Sequence, residues 1–177
     1  MNKVLVLYQS KYGSTKKYAE MLENEIPCDV FDITKPIPVD LNAYEIIIIA
    51  GGIYASHIAG IKYLKKHLDS LKNKTLAIFA VGASPYDENT FETIKAQHLK
   101  KIPLDIPMFY GRGAYDESVM NFKDRTLCRL LKKSLRKKDS ATLEPWMEAF
   151  FEADGKACDW VDISYLNPLI AYIKEKI

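Results

Sequence analysis

Apolar residues along this chain occur in short runs that alternate with segments of helical periodicity. The runs are rich in β-branched residues and predict five strands, over 3–8, 28–33, 44–52, 75–82 and within 105–116. Helical spacing of apolar residues begins at Ser14 and recurs over about 58–72, 87–101 and 164–176. Strands that alternate with helices predict an α/β fold with a parallel sheet and right-handed crossovers. The run over 44–52 should form the central strand, and the run over 28–33 should lie nearer an edge.

Two segments, 117–138 and 141–160, do not fit a minimal five-strand pattern. Both segments carry apolar residues that must be shielded from water, so neither is a linker. A length of 177 residues favours one domain over 1–177, with an insertion at about 117–160. Residues 121–138 contain eight Lys or Arg, one Asp, and leucines at helical spacing. This basic amphipathic helix has two interpretations. Its leucine face could pack on the sheet, or the helix could contact an anionic membrane, an acidic substrate or a partner.

Glycines cluster at the ends of the predicted strands. Six of the eight follow a predicted strand: Gly13, Gly51, Gly52, Gly82, Gly111 and Gly113. Open α/β sheets bind ligands outside the carboxyl ends of their strands, and glycine there permits positive φ and close backbone approach. Turns between strands and helices also need glycine without any ligand. Three of these loops have aromatic residues beside the glycines, which favours a ligand site.

The first of these loops is SKYGST, over 10–15, between a strand and a helix. The hydroxyls of Ser10, Ser14 and Thr15 can donate hydrogen bonds, and the helix N-terminus adds unpaired amides and positive potential. A phosphate monoester suits this arrangement. The loop is neither GxGxxG nor GxxxxGK[ST], so a mononucleotide phosphate is favoured over a dinucleotide or ATP. The alternative is a structural role, with Ser14 as the N-cap of the helix and Ser10 as a turn residue.

These loops resemble those of the flavodoxin family. SKYGST resembles its phosphate-binding loop, roughly [TS]-x-[TS]-G-x-T, with Tyr12 in place of a hydroxyl residue; GGIYASHIAG and GASPYDEN resemble its second and third loops. The resemblance implies a doubly wound, five-stranded parallel sheet of order 2-1-3-4-5, with helices on both faces and a helical insertion after strand 5. It implies FMN as cofactor, with Tyr54 and Tyr86 packing on the flavin ring. The implied cofactor-binding residues are Ser10, Lys11, Tyr12, Gly13, Ser14, Thr15, Gly52, Ile53, Tyr54, Ala55, Gly82, Ala83, Ser84 and Tyr86.

Charge and the insertion bear on whether the protein is a carrier or an enzyme. Carrier flavodoxins are strongly acidic for docking, whereas this chain has 25 Lys or Arg against 23 Asp or Glu. The stretches GRGAYDESVMNFKDRTLCRLLKK and GIYASHIAGIKYLKKH, with Cys158-Asp159-Trp160, resemble the flavodoxin-like, menaquinone-dependent protoporphyrinogen dehydrogenases. Ile53 stands where that branch has arginine. The resemblance implies protoporphyrinogen oxidation with electron transfer to a quinone. The alternatives are an electron carrier that docks on redox partner proteins and a phospho-ligand regulator without flavin.

The histidines, the cysteines, the net charge and the absence of a targeting segment say less about the function. His57 is the one candidate for a proton relay near the flavin, although a lone loop histidine commonly has no such role. The histidines have no metal-ligand spacing, and a net charge of +2 indicates no nucleic-acid partner. Cys28, Cys128 and Cys158 lack CxxC spacing, which indicates reduced thiols. Without a signal peptide or membrane-length apolar run, the sequence predicts a cytoplasmic protein, with peripheral contact at the inner membrane face through 121–138. It indicates no oligomeric state.

Overall fold

A five-stranded parallel sheet forms the centre of the protein in a computed structural model that describes residues 3–139 and 142–177. Its strands are β1 (Val4–Gln9), β2 (Cys28–Asp32), β3 (Ile46–Tyr54), β5 (Thr75–Gly82) and β6 (Met108–Arg112). They lie in the order β2-β1-β3-β5-β6, which confirms the predicted order 2-1-3-4-5. Val4 lies opposite both Cys28 and Ile46, so β1 is flanked by β2 and β3. The two-residue strand β4 (His57–Ile58) pairs antiparallel with the end of β3.

Helices cover both faces of the sheet, because successive residues of the buried strands point to opposite sides. In β3, Ile47 and Ile49 pack into one core, while Ile46 and Ile48 pack into the other. The first core is closed by α2 (Ile61–Lys66), α3 (Leu68–Leu71) and α4 (Glu88–Leu99). The second is closed by α1 (Ser14–Glu25) and α7 (Asn167–Lys176). The sheet is therefore doubly wound, and the carboxyl ends of its strands lie at one edge.

Two local predictions were wrong. The helix expected over 58–72 is two helices, because His67 (φ −107°, ψ 15°) leaves helical geometry between α2 and α3. Gly51 and Gly52 lie inside β3 rather than after it, because β3 continues to Tyr54 as one arm of a hairpin. The strand predicted within 105–116 is confirmed as β6, and a two-residue strand, β7 (Ala114–Tyr115), follows it.

The segment after β6 returns to the sheet edge as a small sheet and two helices. β7 pairs antiparallel with β8 (Cys158–Asp159), with Ala114 opposite Asp159. Between them lie α5 (Phe122–Leu135) and α6 (Pro145–Glu152). Within this predicted insertion, residues 140 and 141 lie outside the described residues. No helix in the two described ranges is long and apolar enough to cross a membrane.

The interpretation that the leucine face of α5 packs on the sheet is wrong, because most of its leucines face solvent. Leu127, Leu130 and Leu131 are 48%, 60% and 37% exposed. The buried residues are Asp124, Lys132 and Leu135. The reason is an ion cluster: the ammonium of Lys132, 7% exposed at the side chain, pairs with the carboxylates of Glu117 and Asp154. These polar contacts turn the leucines toward solvent.

Candidate functional site

The turn between β1 and α1 presents unpaired donors at the head of a helix. Gly13 is the N-cap residue, with φ at +99°, a conformation that side-chain-bearing residues rarely adopt. The interpretation that Ser14 caps α1 is wrong, because Ser14 is the first helical residue and its Oγ accepts from the backbone N–H of Ala114 at 3.0 Å. With no side-chain cap, the first amides of α1 are left for a ligand.

Two hydroxyls lie beside these amides. Ser10 Oγ accepts from the backbone N–H of Gly13 at 3.1 Å, so its own hydrogen can be donated outward. Thr15 is buried, and a Cβ placed on Gly52 would lie 3.7 Å from Thr15 Oγ1. Within the described part of the chain, the Thr15 hydroxyl has no hydrogen-bond partner. Hydroxyls, unpaired amides and a helix N-terminus form a donor set that fits a phosphate group.

The second loop is a hairpin whose tip presents Tyr54. Tyr54 lies opposite His57, and the two residues between them, Ala55 (φ 47°) and Ser56 (φ 62°), both have positive φ, as in a type I′ turn. Neither is glycine, so this backbone is strained and needs support. His98 supplies it by donating from Nε2 to the Ser56 carbonyl at 2.8 Å. The hairpin also explains Gly51, where a Cβ would lie 1.8 Å from the carbonyl oxygen of Ala59.

The third loop follows β5 and is held by side chains of β6. Tyr110 donates its hydroxyl to the Ser84 carbonyl at 2.5 Å, and Arg112 donates from Nε to the Ala83 carbonyl at 3.1 Å. The Arg112 guanidinium lies 3.9 Å from the ring centroid of Trp160, which follows β8. The two carbonyls of the loop are therefore engaged by the protein. Sequence reasoning missed both β6 side chains, although they directly precede and follow the glycine at position 111.

Tyr86 is exposed in the third loop and contacts two other aromatic rings. Its ring centroid lies 5.3 Å from that of Phe91 and 5.7 Å from that of Tyr110. Such tilted aromatic contacts hold the ring at one edge and leave much of it open to solvent. An open, partly supported aromatic ring at this edge of the sheet can pack against a planar ligand.

The first and second loops meet on one carboxylate, Asp124 of α5. Its Oδ1 accepts from the Tyr54 hydroxyl at 2.5 Å, and its Oδ2 accepts from the Tyr12 hydroxyl and pairs with the Lys11 ammonium at 2.5 Å. Burial raises the pKa of Asp124, but the hydrogen bonds from these three side chains outweigh burial and lower it to about 2. Burial and the bond to Asp124 both raise the pKa of Tyr54.

Sequence reasoning missed Asp124, although one signal was available. It is the single acidic residue among eight basic residues over 121–138. An isolated opposite charge in a basic helix indicates a specific partner. Lys11 and Tyr12 were expected to bind the cofactor, but in the structure both side chains contact Asp124.

His57 lies at the hairpin tip and is exposed. Its Nδ1 donates to the Ala55 carbonyl at 2.8 Å, which leaves Nε2 free for proton exchange with a bound molecule. Its ring centroid lies 5.7 Å from that of His98. Across residues 3–139 and 142–177 there is no group of three His, Cys, Asp or Glu side chains that could hold a metal ion.

A second concave surface lies on the basic helix. A cavity of about 430 Å³ is lined by Glu117, Arg129, Lys132, Lys133, Arg136 and Asp154. Because Glu117 and Asp154 are already paired with Lys132, the exposed cations Arg129 and Lys133 face solvent. This surface can attract carboxylates or phosphates.

Comparisons with known proteins place these loops in a wider group. The flavodoxin domain family matches residues 5–142, a stretch that includes all three loops and α5. An uncharacterized protein of Methanocaldococcus jannaschii is 30% identical over 107 residues, which cover 59% of this chain and 70% of that protein.

Solved structures with a similar arrangement include two flavoproteins. A flavoprotein from Lactobacillus acidophilus NCFM, in complex with FMN, is 19% identical and covers 63% of this chain and 93% of its own, with a TM-score of 0.45. The two-electron reduced flavodoxin of Megasphaera elsdenii is 13% identical and covers 60% of this chain and 84% of its own, also with a TM-score of 0.45.

Proposed function

This chain belongs to the flavodoxin domain family, and we propose that it binds FMN at the carboxyl ends of β1, β3 and β5 and acts as an FMN-dependent oxidoreductase. The observation that carries the proposal is the donor set at the first loop. Thr15 is a buried residue whose hydroxyl has no hydrogen-bond partner among the described residues, and it lies beside a helix N-terminus without a side-chain cap. A phosphate monoester satisfies both.

Different residues of the three loops would bind different parts of the cofactor. Ser10, Thr15 and the backbone amides from Ser14 onward would bind the phosphate. Tyr54 and Tyr86 would pack on the ring, and the backbone over 82–84 would meet its polar edge. When bound, FMN supplies an acceptor and donor of electrons. The protein orients it, and His57 is the side chain placed to hold or move a proton near the second loop.

The substrate we propose is protoporphyrinogen, with a quinone as electron acceptor. Dehydrogenation removes electrons and protons from the porphyrinogen, and the quinone takes up both. Support comes from the resemblance of the insertion to that branch and from the cationic cavity on α5. The porphyrinogen carries propionate groups, and the exposed Arg129 and Lys133 could pair with such carboxylates.

A quinone dissolves in lipid, so the proposed acceptor requires access to a membrane. The outward face of α5 suits peripheral contact, because exposed apolar side chains alternate there with cations: Phe122, Lys123, Leu127, Arg129, Leu130, Leu131 and Lys133. Each such cation contributes about 1 kcal/mol of attraction near an anionic leaflet. The exposed leucines add apolar area that water disfavours.

An electron carrier remains the second candidate function. The observation that favours it is the exposure of Tyr86, which leaves the third-loop edge of the site open to a docking protein. The two candidates differ in turnover. An enzyme oxidises porphyrinogen with a quinone as the only other reactant, whereas a carrier needs a partner protein on each side.

The first experiment is titration of the purified protein with FMN, followed by its visible spectrum and flavin fluorescence. We expect a yellow, stoichiometric complex. Thr15→Val removes one hydroxyl at nearly constant volume and should weaken FMN binding by about tenfold or more, because a hydrogen bond to a charged group is lost. Thr93→Val in α4 is the matched control, since the Thr93 Oγ1 donates to the Asn89 carbonyl and to no other group among the described residues. A wild-type protein that binds no FMN would refute the proposal.

Turnover is then measured with protoporphyrinogen and a menaquinone analogue. Porphyrin formation that depends on both FMN and the quinone supports the enzyme. If bound flavin is reduced and reoxidised only in the presence of redox proteins, the carrier is the correct function.

A further inference from the structure

We propose that Asp124 is a positioning residue of the FMN site, which holds Tyr54 and the first loop in the arrangement that receives the flavin ring. The inference rests on the proposed function. It assigns to α5, which lies far along the chain from the cofactor loops, a role inside the cofactor site.

The position of Asp124 is set by the start of α5. Asn121 caps the helix by accepting from the backbone N–H of Asp124 at 2.9 Å, which places Asp124 in the first turn. A carboxylate there is also stabilised by the amides at the helix N-terminus. The Tyr12 hydroxyl, in turn, accepts from the backbone N–H of Asn121 at 3.4 Å. The helix start and the first loop are thus joined by backbone as well as by side chain.

The two oxygens of Asp124 serve different loops. Oδ1 accepts from Tyr54, at the tip of the second loop, while Oδ2 binds Lys11 and Tyr12 of the first loop. One carboxylate therefore bridges the gap between the ends of β1 and β3. Asp124 is only 3% exposed, so its charge depends on these partners rather than on water. A bridge of this kind is costly to form and break, unlike an ion pair on the surface.

These contacts fix the Tyr54 ring and cover one of its two faces. Its hydroxyl is held by Asp124, and the Lys11 ammonium lies 4.7 Å from its ring centroid. A cation over one face leaves the opposite face for a planar ligand. Without the carboxylate, an exposed tyrosine at a hairpin tip would lose both constraints. Ordering it again on binding would cost affinity.

The test compares Asp124→Asn with Tyr54→Phe. Asparagine keeps the shape but removes the charge, and phenylalanine keeps the ring but removes the hydroxyl. We expect each to weaken binding of FMN, and of riboflavin, which lacks the phosphate, by about tenfold. Both variants should also change the visible circular dichroism of the bound flavin in the same way. The double variant should bind no more weakly than Asp124→Asn alone, because the contact that Tyr54→Phe removes is already disrupted there.

Asp116→Asn is the matched control. Asp116 directly precedes the insertion and is half-buried, and among the described residues it accepts hydrogen bonds from Ser118 alone, so the variant should bind both flavins like wild type. If Asp124→Asn fails to fold, Tyr54→Phe decides the question, because Tyr54 is exposed and its substitution leaves both cores intact.

The outcomes separate the two proposals. Suppose that the wild-type protein binds FMN and that Asp124→Asn shows unchanged affinity and unchanged dichroism. This result would overturn the role of Asp124 and leave the proposed function standing. If Asp124→Asn does not fold, the same result in Tyr54→Phe has the same meaning. Weakened binding of FMN but not of riboflavin would also overturn it, since the effect would then lie at the phosphate. A wild-type protein that binds neither flavin overturns both proposals.

Discussion

The buried ammonium of Lys132 is the feature of the insertion whose removal should cost most. Lys132 lies between the carboxylates of Glu117 and Asp154, and its side chain is 7% exposed. In Lys132→Met, a residue of similar length keeps the apolar contacts of the stem but leaves two carboxylates facing each other. Truncation of one member of a fully buried ion pair costs about 3–5 kcal/mol.

The expected cost is smaller here because water reaches the two acids. The side chains of Glu117 and Asp154 are 21% and 36% exposed, so solvent screens part of their repulsion. We therefore expect a loss of about 2–3 kcal/mol in the free energy of unfolding. For a chain of this size that lowers Tm by roughly 4–12 °C.

The pH dependence supplies an independent check of the same reasoning. Burial raises the pKa of Glu117, but the hydrogen bonds from Lys132 and Tyr115 together outweigh burial and lower it. The hydrogen bond from Lys132 also lowers the pKa of Asp154. A carboxyl with a lowered folded-state pKa contributes stability that is present above its unfolded-state pKa and lost as pH falls through the folded-state value. Lys132→Met lacks this contribution. The stability difference between the variant and wild type should therefore narrow in acid.

The assay is chemical denaturation at neutral pH and at a series of acidic values, with Lys133→Met as the control. Lys133 is the next residue, and its side chain is exposed. Its substitution should change stability by no more than about 0.5 kcal/mol. If Lys132→Met were as stable as Lys133→Met, or if its deficit grew as the pH fell, the ion cluster would not be what orients α5.

Three further predictions test single features. Asp87→Ala removes the side chain that caps α4 by accepting from the Thr90 amide at 2.8 Å, and should cost about 1 kcal/mol in urea denaturation. Gly51→Ala places a Cβ 1.8 Å from the Ala59 carbonyl oxygen and should destabilise the hairpin, seen as faster amide exchange there while β1 stays protected. Leu130→Ser should reduce sedimentation with anionic vesicles severalfold, while leaving neutral-vesicle binding at its low level; equal sedimentation of both proteins would exclude membrane contact through this helix.

The fold could be predicted because its signals are local. Four consecutive isoleucines, over 46–49, predict a strand buried on both faces, and they divide between the two cores as expected. The cofactor loops could be located for the same reason, since glycines and hydroxyls follow apolar runs directly. Even here the hairpin after β3 was missed, because Ala55 and Ser56 are not the residues that usually mark a turn with positive φ.

Only the tertiary structure decided the orientation of α5 and the partners of Asp124. The amphipathic pattern of α5 indicates that its faces differ, but not which face turns inward; the leucines turn outward because Lys132 finds two carboxylates. Asp124 binds side chains 112 and 70 residues away, at Tyr12 and Tyr54. Local periodicity carries no information about such distant pairs. The fold brings them together at a buried point where each charge needs its partner.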